Sequence, residues 1–219
     1  MILVKTYKEP QINKKEILRY MGCKEATEDV LTLIDQCLVE LKGKLSYKVC
    51  YDTFDLMVNE PNINLGFTQI DSSGLSFNLR DCHKAIVFAA TIGIELDRLI
   101  ARYSRLSPSK ALCFQAIGAE RIESLCNVFN DEMKTDYESK HLFLRSRFSP
   151  GYGDLGLEMQ KDIFAVLDCP RKIGLSLNES LLMSPSKSVT AIIGISNVPK
   201  TCKPDNCASC AKSDCTFRR

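Results

Sequence analysis

The chain has 219 residues, of which 45% are apolar, and this is enough to bury the core of one large domain or two small ones. Its 29 basic and 27 acidic side chains leave a formal net charge of only +2. This balance creates no strong field toward nucleic acid or anionic lipid, so neither is expected as a partner.

The longest apolar run, Ala85 to Ile94, has about half the length that a membrane span requires. The N-terminal residues show no apolar segment followed by the small-residue cleavage site of an export signal. We therefore expect a cytoplasmic protein without a membrane segment. Its eleven cysteines are then expected to be reduced thiols, most of them buried as small hydrophobic side chains.

The first part of the chain is predicted to alternate between helices and strands. Apolar residues at spacings of three and four predict helices, and alternation of aromatic and β-branched residues predicts strands. The predicted strands are 2–6, 44–58 and 64–70, and the predicted helices are 14–21 and 25–42.

The middle of the chain is predicted to be mainly helical. A short helix at 78–82 and a buried strand at 84–91 precede an amphipathic helix at 94–106 and the longest helix, 110–134. Gly118 lies inside that longest helix, where glycine costs about 1 kcal/mol relative to alanine. Its presence predicts a close helix crossing. The predicted apolar stripe of the longest helix is Leu112, Ala116, Ala119, Ile122, Cys126, Phe129 and Met133.

The last part is predicted to hold a helix at 157–167 and strands at 172–177 and 188–196. Helices and strands follow one another without the regular rhythm of βαβ units, which favours an α+β fold with a largely antiparallel sheet flanked by helices. Apolar content falls from Asn197 onward. We therefore predict one domain, 1–196, followed by a cysteine-rich tail, 197–219.

The octapeptide RFSPGYGD, Arg147 to Asp154, combines a guanidinium, a rigid turn and an aromatic ring. Pro-Gly predicts a turn, and Gly151 and Gly153 permit positive φ or a close approach of the backbone to a ligand. Arg147 offers the planar donor fork that pairs with carboxylate or phosphate, and Tyr152 would project from the loop. The alternative is a plain turn with a surface arginine and a packed tyrosine.

Arg147-x-x-x-Gly151-Tyr152 resembles the S-adenosylmethionine-binding signature of the activation (reactivation) domain of cobalamin-dependent methionine synthase. The resemblance includes the segment Ala90 to Gly93 before an amphipathic helix, and the block Met183-x-Pro185-x-Lys187-Ser188-Val189 before a glycine-bearing strand. The resemblance covers residues 80–194, approximately. For the earlier residues it consists only of the order of the helices and strands. The chain looks like a stand-alone form of that domain with an added C-terminal cysteine cluster.

The resemblance implies a methyl transfer that needs a partner. S-adenosylmethionine would methylate the cobalt of cob(II)alamin on a methionine synthase or another corrinoid protein, and a flavodoxin-like or ferredoxin-like donor would supply one electron. Arg147 would hold the methionine carboxylate, the backbone around Ser149 and Gly151 would receive other polar groups, and Tyr152 would lie against the corrin. The difficult chemistry belongs to cobalt and sulfonium, so no side chain need act as acid or base.

The resemblance also implies acidic groups near the amino group and the sulfonium. Glu120 or Glu123 of the long helix is the candidate, and a solvated helix carboxylate is the alternative for either. The block that contains Lys187 and Ser188 is expected to line the cofactor groove or to contact corrin side chains. Its alternative is a polar turn before a strand.

The tail pattern Cys202-x4-Cys207-x2-Cys210-x4-Cys215 places four thiols within a short segment that can close around one metal. Tetrahedral zinc would order the tail, whereas an iron–sulfur cluster would suit electron transfer toward cobalt. Free or disulfide-linked thiols are the remaining alternative.

These observations support two functional hypotheses. In the first, the protein binds S-adenosylmethionine and supports the reductive methylation that reactivates cob(II)alamin, as a component of a methyltransferase. In the second, it is a non-catalytic module that docks on a corrinoid protein, and its tail carries metal or electrons. Saturable binding of S-adenosylmethionine discriminates between them.

Overall fold

The structure is a computed structural model that describes residues 1–23 and 25–199. The four clustered cysteines, Cys202, Cys207, Cys210 and Cys215, lie outside the described residues. The metal site of the tail and the domain boundary at residue 196 therefore stay predictions.

The described residues form seven helices and ten strands. The helices are α1 (Lys14–Tyr20), α2 (Glu28–Leu41), α3 (Ser73–Asn78), α4 (Glu95–Leu106), α5 (Pro108–Glu138), α6 (Met159–Leu167) and α7 (Cys169–Ile173). The strands are β1 (Leu3–Tyr7), β2 (Tyr47–Asp55), β3 (Met57–Asn59), β4 (Asn62–Asn64), β5 (Gln69–Asp71), β6 (Cys82–Thr91), β7 (Phe143–Leu144), β8 (Ser176–Leu177), β9 (Met183–Ser184) and β10 (Ser188–Ser196). None of the described helices is both long and apolar enough to cross a membrane.

Five strands form the central sheet in the order β1-β2-β6-β10-β7, and every neighbouring pair is antiparallel. Strands β3, β4 and β5 form a separate small antiparallel sheet, and β8 pairs with β9. The predicted α+β fold around an antiparallel sheet is confirmed. The central position of β6 and β10 agrees with their nearly continuous apolar sequences, because both faces of these strands are buried.

Helices cover both faces of the central sheet. Side chains of a strand alternate between faces, so Ile86, Phe88 and Ala90 of β6 pack with α1, α2, α4 and α5, while Val87 and Ala89 face the opposite side. On that opposite side the core includes residues of α3, α6 and α7. The end of the sheet that is formed by β10 and the edge strand β7 consequently lies between two layers of helices.

The predicted close crossing at Gly118 is confirmed. A Cβ atom added there would overlap Leu96 Cδ2 on α4 and would lie 2.9 Å from Lys187 Cγ. Both neighbours are closer than van der Waals contact allows. Glycine therefore permits α4 and the segment before β10 to approach the α5 backbone.

A buried ion pair on α5 attaches the N-terminal segment to the domain. The fully buried Arg121 donates from Nε to Glu120 Oε2 at 2.5 Å, and its terminal nitrogens donate to the carbonyl oxygens of Pro10 at 2.6 Å and Gln11 at 2.8 Å. Glu120 in turn accepts from the backbone N–H of Asn13 at 3.1 Å. The segment before α1 is thus held by charged hydrogen bonds inside the core.

The predicted helix at 78–82 is wrong. The helix in this region, α3, begins at Ser73 because the Ser72 side chain accepts from the backbone N–H of Leu75 at 3.0 Å as an N-cap. Strand β6 already begins at Cys82. The serine cap lies several residues before the predicted start, and the helix prediction did not take it into account.

Other local predictions need correction. The predicted strand 64–70 is interrupted by a turn: residue 64 ends β4, residues 69 and 70 belong to β5, and Gly66 in the turn between them has a φ of 81°. Of the predicted strand 172–177, residues 172 and 173 belong to α7, which Pro170 opens and Gly174 ends in the left-handed conformation, and residues 176 and 177 form the short strand β8. Leu112 is not part of the buried stripe of α5 and is 51% exposed.

Replacing Glu120 with alanine should destabilise the fold severely. The substitution leaves the Arg121 charge buried without its carboxylate, which costs about 3–5 kcal/mol. The matched control is Glu123→Ala, one turn further along α5, where a half-exposed ion pair contributes about 1 kcal/mol or less. Urea unfolding measures both. Equal losses in the two variants would contradict the structural role given to Glu120.

Candidate functional site

The segment after β7 continues along the edge of the central sheet. Phe148 and Ile192 of β10 exchange both backbone hydrogen bonds, each at 2.9 Å. Because side chains alternate along an extended chain, Phe148 enters the core on the α6 side, while Arg147 reaches toward α5 on the other side. Neighbouring residues of the octapeptide therefore serve opposite faces of the sheet.

Arg147 lies against two side chains of α5. One terminal nitrogen of its guanidinium donates to Asn127 Oδ1 at 2.9 Å and to Glu123 Oε2 at 3.2 Å. Glu123 and Asn127 are four residues apart and share one face of the helix. The Arg147 side chain is 23% exposed and that of Glu123 45% exposed, so both charges remain accessible from solvent. Together they present a cation, an anion and an amide to one surface position.

The turn after Arg147 is held by its own backbone. Gly151 donates to the carbonyl of Leu155 at 2.9 Å, and Tyr152 donates to that of Ser149 at 3.1 Å. Gly151 has a φ of 85°, a conformation that glycine adopts without strain. Tyr152 stays 44% exposed while its ring packs nearly perpendicular to that of Phe148, with ring centroids 5.4 Å apart. The loop thus presents a fixed aromatic ring at the surface.

Asp154 ties this loop to the start of α3. Its carboxylate accepts from the Ser72 hydroxyl at 2.6 Å, from the Ser73 N–H at 2.7 Å and from the Gly74 N–H at 3.1 Å. The Ser72 hydroxyl, with the two amides, holds the pKa of Asp154 below its ordinary value. The carboxylate is therefore a fixed, ionised clasp between the loop and α3.

A cleft of about 880 Å³ opens between the Tyr152 loop, α3 and the turn that joins β3 to β4. Its volume is within the range of small-molecule sites. Its lining consists of Glu60, Pro61, Ser73, Gly74, Ser76, Phe77, Phe148, Tyr152, Gly153 and Asp154.

The block before β10 forms a second polar region. Asp97 of α4 accepts from the backbone N–H of Ser186 at 2.8 Å and from its hydroxyl. The Ser188 hydroxyl donates to the Pro185 carbonyl at 2.8 Å and lies 2.9 Å from the Thr91 hydroxyl. Burial lowers the pKa of Lys187, and Asp97 opposes that shift.

Comparison with solved structures finds this architecture again. A crystal structure of the MetH reactivation domain bound to AdoHcy superposes with a TM-score of 0.66, at 14% sequence identity, over 89% of this chain and 78% of that one. The chain has the reactivation-domain fold. No protein-family model matches the sequence, and no curated protein matches it either. The resemblance carried by the Arg147 signature is confirmed at the level of the fold.

Within the reactivation-domain fold, some of the predicted site residues lie together. Arg147 and Glu123 are in direct contact, and Ser149, Gly151 and Tyr152 form the turn beside them. Glu120, the other candidate on α5, uses its carboxylate inside the core. Their roles toward a cofactor stay predictions.

Lys187 and Ser188 lie at a different position along α5. The stem of Lys187 packs over Gly118, which is nine residues, or about 13 Å of helix, before Asn127. The two polar regions therefore mark opposite ends of one stretch of α5.

Sequence reasoning missed Asn127, the Asp154 clasp and the cleft. Asn127 could have been found from its spacing of four residues after Glu123. The partners of Asp154 are about 80 residues away in sequence, and only the Ser72-Ser73-Gly74 capping pattern hinted at them. In the described part of the chain no group of three or more His, Cys, Asp or Glu side chains could hold a metal ion.

The Asp154→Asn substitution should lower the stability of the fold by an amount that depends on pH. The folded state holds the carboxyl pKa below its unfolded value, so the stabilisation is present above that unfolded value and is lost as the pH falls through the folded one. We expect a loss of about 1 kcal/mol at pH 7 that shrinks below about pH 4.

Urea unfolding of both proteins at pH 7 and about pH 3 measures this difference. The control is Asp55→Asn, because Asp55 is largely exposed and pairs with Lys84 only at 3.4 Å. A loss for Asp154→Asn that is the same at both pH values would show that the carboxylate charge is unimportant.

Proposed function

We propose that the protein binds S-adenosylmethionine at the Arg147 loop and supports the reductive methylation of cobalamin on a corrinoid protein. The observation that carries the proposal is the Arg147–Glu123 pair beside the Gly151–Tyr152 turn. Support comes from the fold, since the solved reactivation domain of this architecture is bound to AdoHcy. The sequence signature around Arg147 supports the same assignment.

The charges at Arg147 match the amino-acid end of this ligand. An α-amino acid carries a carboxylate and an ammonium a few ångströms apart, and Arg147 and Glu123 offer the complementary pair at 3.2 Å. Arg147 would take the carboxylate and Glu123 the ammonium, with the Asn127 amide as a neighbouring donor. The existing ion pair keeps both side chains positioned before the ligand arrives.

The turn would offer backbone groups and an accessible surface to the ligand, and it contains no reactive side chain. Ser149 and Gly151 would bring peptide groups to the ligand, and glycine at position 151 permits the positive φ that the turn requires. Tyr152, half exposed on this turn, would contact the corrin of the partner. A sulfonium held in such a shallow site keeps its methyl group open toward another protein.

The methyl group would pass from sulfur to the reduced cobalt of the partner. The carbon–sulfur bond would break with its electron pair left on sulfur as a cobalt–carbon bond forms, and an external donor would supply the one electron that cob(II)alamin requires. No proton moves in this step, so the site needs no general acid or base. The partner would be a methionine synthase or another corrinoid protein, and the donor a flavodoxin-like or ferredoxin-like protein.

Lys187 and Ser188 would line the far end of the same groove. Their block is bound to Asp97 of α4 and packs on α5 at Gly118. The Lys187 ammonium lies at a partly buried position and could donate to carbonyl oxygens of the cofactor or of the corrin side chains.

Arg147→Ala should weaken binding of S-adenosylmethionine about tenfold to a hundredfold, because it removes a charged hydrogen-bonding partner of the carboxylate. Isothermal titration calorimetry with the purified protein measures the change. Arg171→Ala is the matched control, since among the residues that the structure describes Arg171 pairs only with Asp168, at an exposed position of α7.

Two results would contradict the proposal. One is the absence of saturable binding to the wild-type protein, and the other is equal binding by the Arg147→Ala and Arg171→Ala variants. Either result would favour a module that docks on a corrinoid protein without binding the methyl donor.

We also propose that Cys202, Cys207, Cys210 and Cys215 bind one metal centre, which is either zinc or an iron–sulfur cluster. The support is the spacing of the four thiols in the sequence. We expect protein purified without oxygen to contain stoichiometric zinc and no colour, or iron and sulfide with a visible absorption band. Replacing all four cysteines by serine should remove the metal, whereas replacing Cys23 and Cys82, which are only partly buried, should not. Metal-free wild-type protein would contradict the proposal.

A further inference from the structure

We propose that Cys50 and Cys169 form a redox-active dithiol, which a low-molecular-weight disulfide oxidises to a disulfide that joins α7 covalently to the central sheet. The pair is separate from the proposed ligand site, since Cys50 lies on β2 and Cys169 is the first residue of α7. In a reducing environment both residues are thiols, and their oxidation is a reversible response to a more oxidising one.

The two sulfur atoms are already in contact. Cys50 Sγ lies 4.0 Å from Cys169 Sγ, a distance at which one thiol donates a hydrogen bond to the other. A disulfide needs a separation of about 2 Å between its sulfur atoms. Each sulfur turns about a single Cα–Cβ bond, so a change of rotamer at either residue can close the remaining gap. Because the two residues are 119 positions apart in the sequence, the bond would link distant parts of the chain.

The surroundings of the pair favour ionisation of one of its two sulfurs. The hydrogen bond from Cys169 lowers the pKa of Cys50, burial opposes this shift, and the positive charge of Lys172 acts in the same direction as the hydrogen bond. The thiolate, and not the thiol, is the nucleophile of thiol–disulfide exchange. Cys50 is therefore the attacking sulfur, and Cys169 is the resolving sulfur that completes the exchange.

Access to the pair is controlled by α7. Both cysteines are fully buried, and Cys169 belongs to a helix of only five residues. Apart from a bond within the helix, the backbone hydrogen bonds of α7 in the described structure join it to Asp168, Gly174 and Leu175, which lie at its own two ends. Asp168 has a φ of 49°, a left-handed conformation that costs energy for a residue with a Cβ atom. Such a helix can open locally without unfolding of the domain.

The oxidation is a thiol–disulfide exchange in two steps. With α7 open, the Cys50 thiolate attacks one sulfur of a small disulfide RSSR, such as oxidised glutathione, and forms a mixed disulfide while RS⁻ leaves. Cys169 then loses its proton and attacks the Cys50 sulfur, which releases the second RS⁻. The cysteine pair gives up two electrons and two protons, and RSSR takes them up to become two molecules of RSH.

A second buried pair of cysteines provides an internal control. Cys37 of α2 interacts with Cys113 of α5 in the core on the opposite face of the sheet. Both residues are fully buried, but their helices have 14 and 31 residues and cannot open without disrupting that core. If proximity alone decided, an oxidant would link both pairs, whereas access through α7 predicts a link only between Cys50 and Cys169.

The disulfide should restrict the opening of α7, because it fixes the first residue of the helix to β2. Trypsin cleaves after Arg171 and Lys172, which are exposed on α7, but it needs the backbone of the helix to open. We expect cleavage there to be about tenfold slower in the oxidised protein than in the reduced protein. The melting temperature of the oxidised protein should be about 5–10 °C higher.

The test treats the intact protein with oxidised glutathione and maps its cysteine peptides by mass spectrometry after digestion without reductant. We expect a linked Cys50–Cys169 peptide that dithiothreitol separates again, and unlinked peptides for Cys37 and Cys113. The Cys169→Ser variant should stop after the first step and keep glutathione on Cys50, because the resolving sulfur is missing. The same treatment should leave the melting temperature of this variant unchanged, which separates the effect of the link from that of the other cysteines.

Three results would overturn the inference. They are the absence of a Cys50–Cys169 link in the oxidised wild-type protein, a Cys37–Cys113 link that forms equally fast, and tryptic cleavage of α7 that is unchanged after the link has formed. Because each cysteine is followed in its own peptide, reactions of the partly buried Cys23 do not affect the result. Ligand binding is not measured, so a failure of the proposed function would leave this inference intact.

Discussion

The backbone pairing of Phe148 with Ile192 is the constraint on which the whole candidate site depends. It fixes which of two neighbouring side chains enters which face of the sheet. Arg147 can then meet Glu123 on α5, and Phe148 can support Tyr152 beside α3. A shift of one residue in this register would exchange the two faces and bury a guanidinium in an apolar core. The chemistry of the loop thus follows from strand geometry.

Helix α5 connects this constraint to the rest of the fold. Glu120 and Glu123 are three residues apart, yet one lies inside the core with Arg121 and the other faces Arg147 at the surface. The inner pair holds the N-terminal segment, and the outer pair forms the candidate ligand site. A rigid helix that carries both keeps the charged groups of the site in a fixed relation to the sheet. Such support is what a site that works by positioning needs.

Local patterns in the sequence were sufficient for the main elements but not for the cleft. Strand β10 was predicted at its observed bounds, because a buried apolar run between polar blocks leaves few alternatives. The sequence narrowed the acidic ligand only to Glu120 or Glu123. Helical spacing alone does not show which of these two carboxylates the N-terminal segment buries. The cleft is built from distant parts of the chain: Asp154 and Phe77 line it, and Asp154 is hydrogen-bonded to Ser72. Tertiary packing brings these residues together, and local sequence periodicity does not predict such contacts.

A methyl donor bound at Arg147, as proposed, would have to be protected from the cysteines of the protein's own chain. Cys126 lies on α5 between Glu123 and Asn127, in the part of the helix that Arg147 contacts. Burial has the largest effect on this thiol and raises the pKa of Cys126 to about 12, although the nearby Arg147 guanidinium favours the thiolate. The sulfur therefore stays protonated and without contact to solvent, and a protonated thiol is a poor nucleophile. A sulfonium at Arg147 could then keep its methyl group until a better nucleophile arrives with the partner.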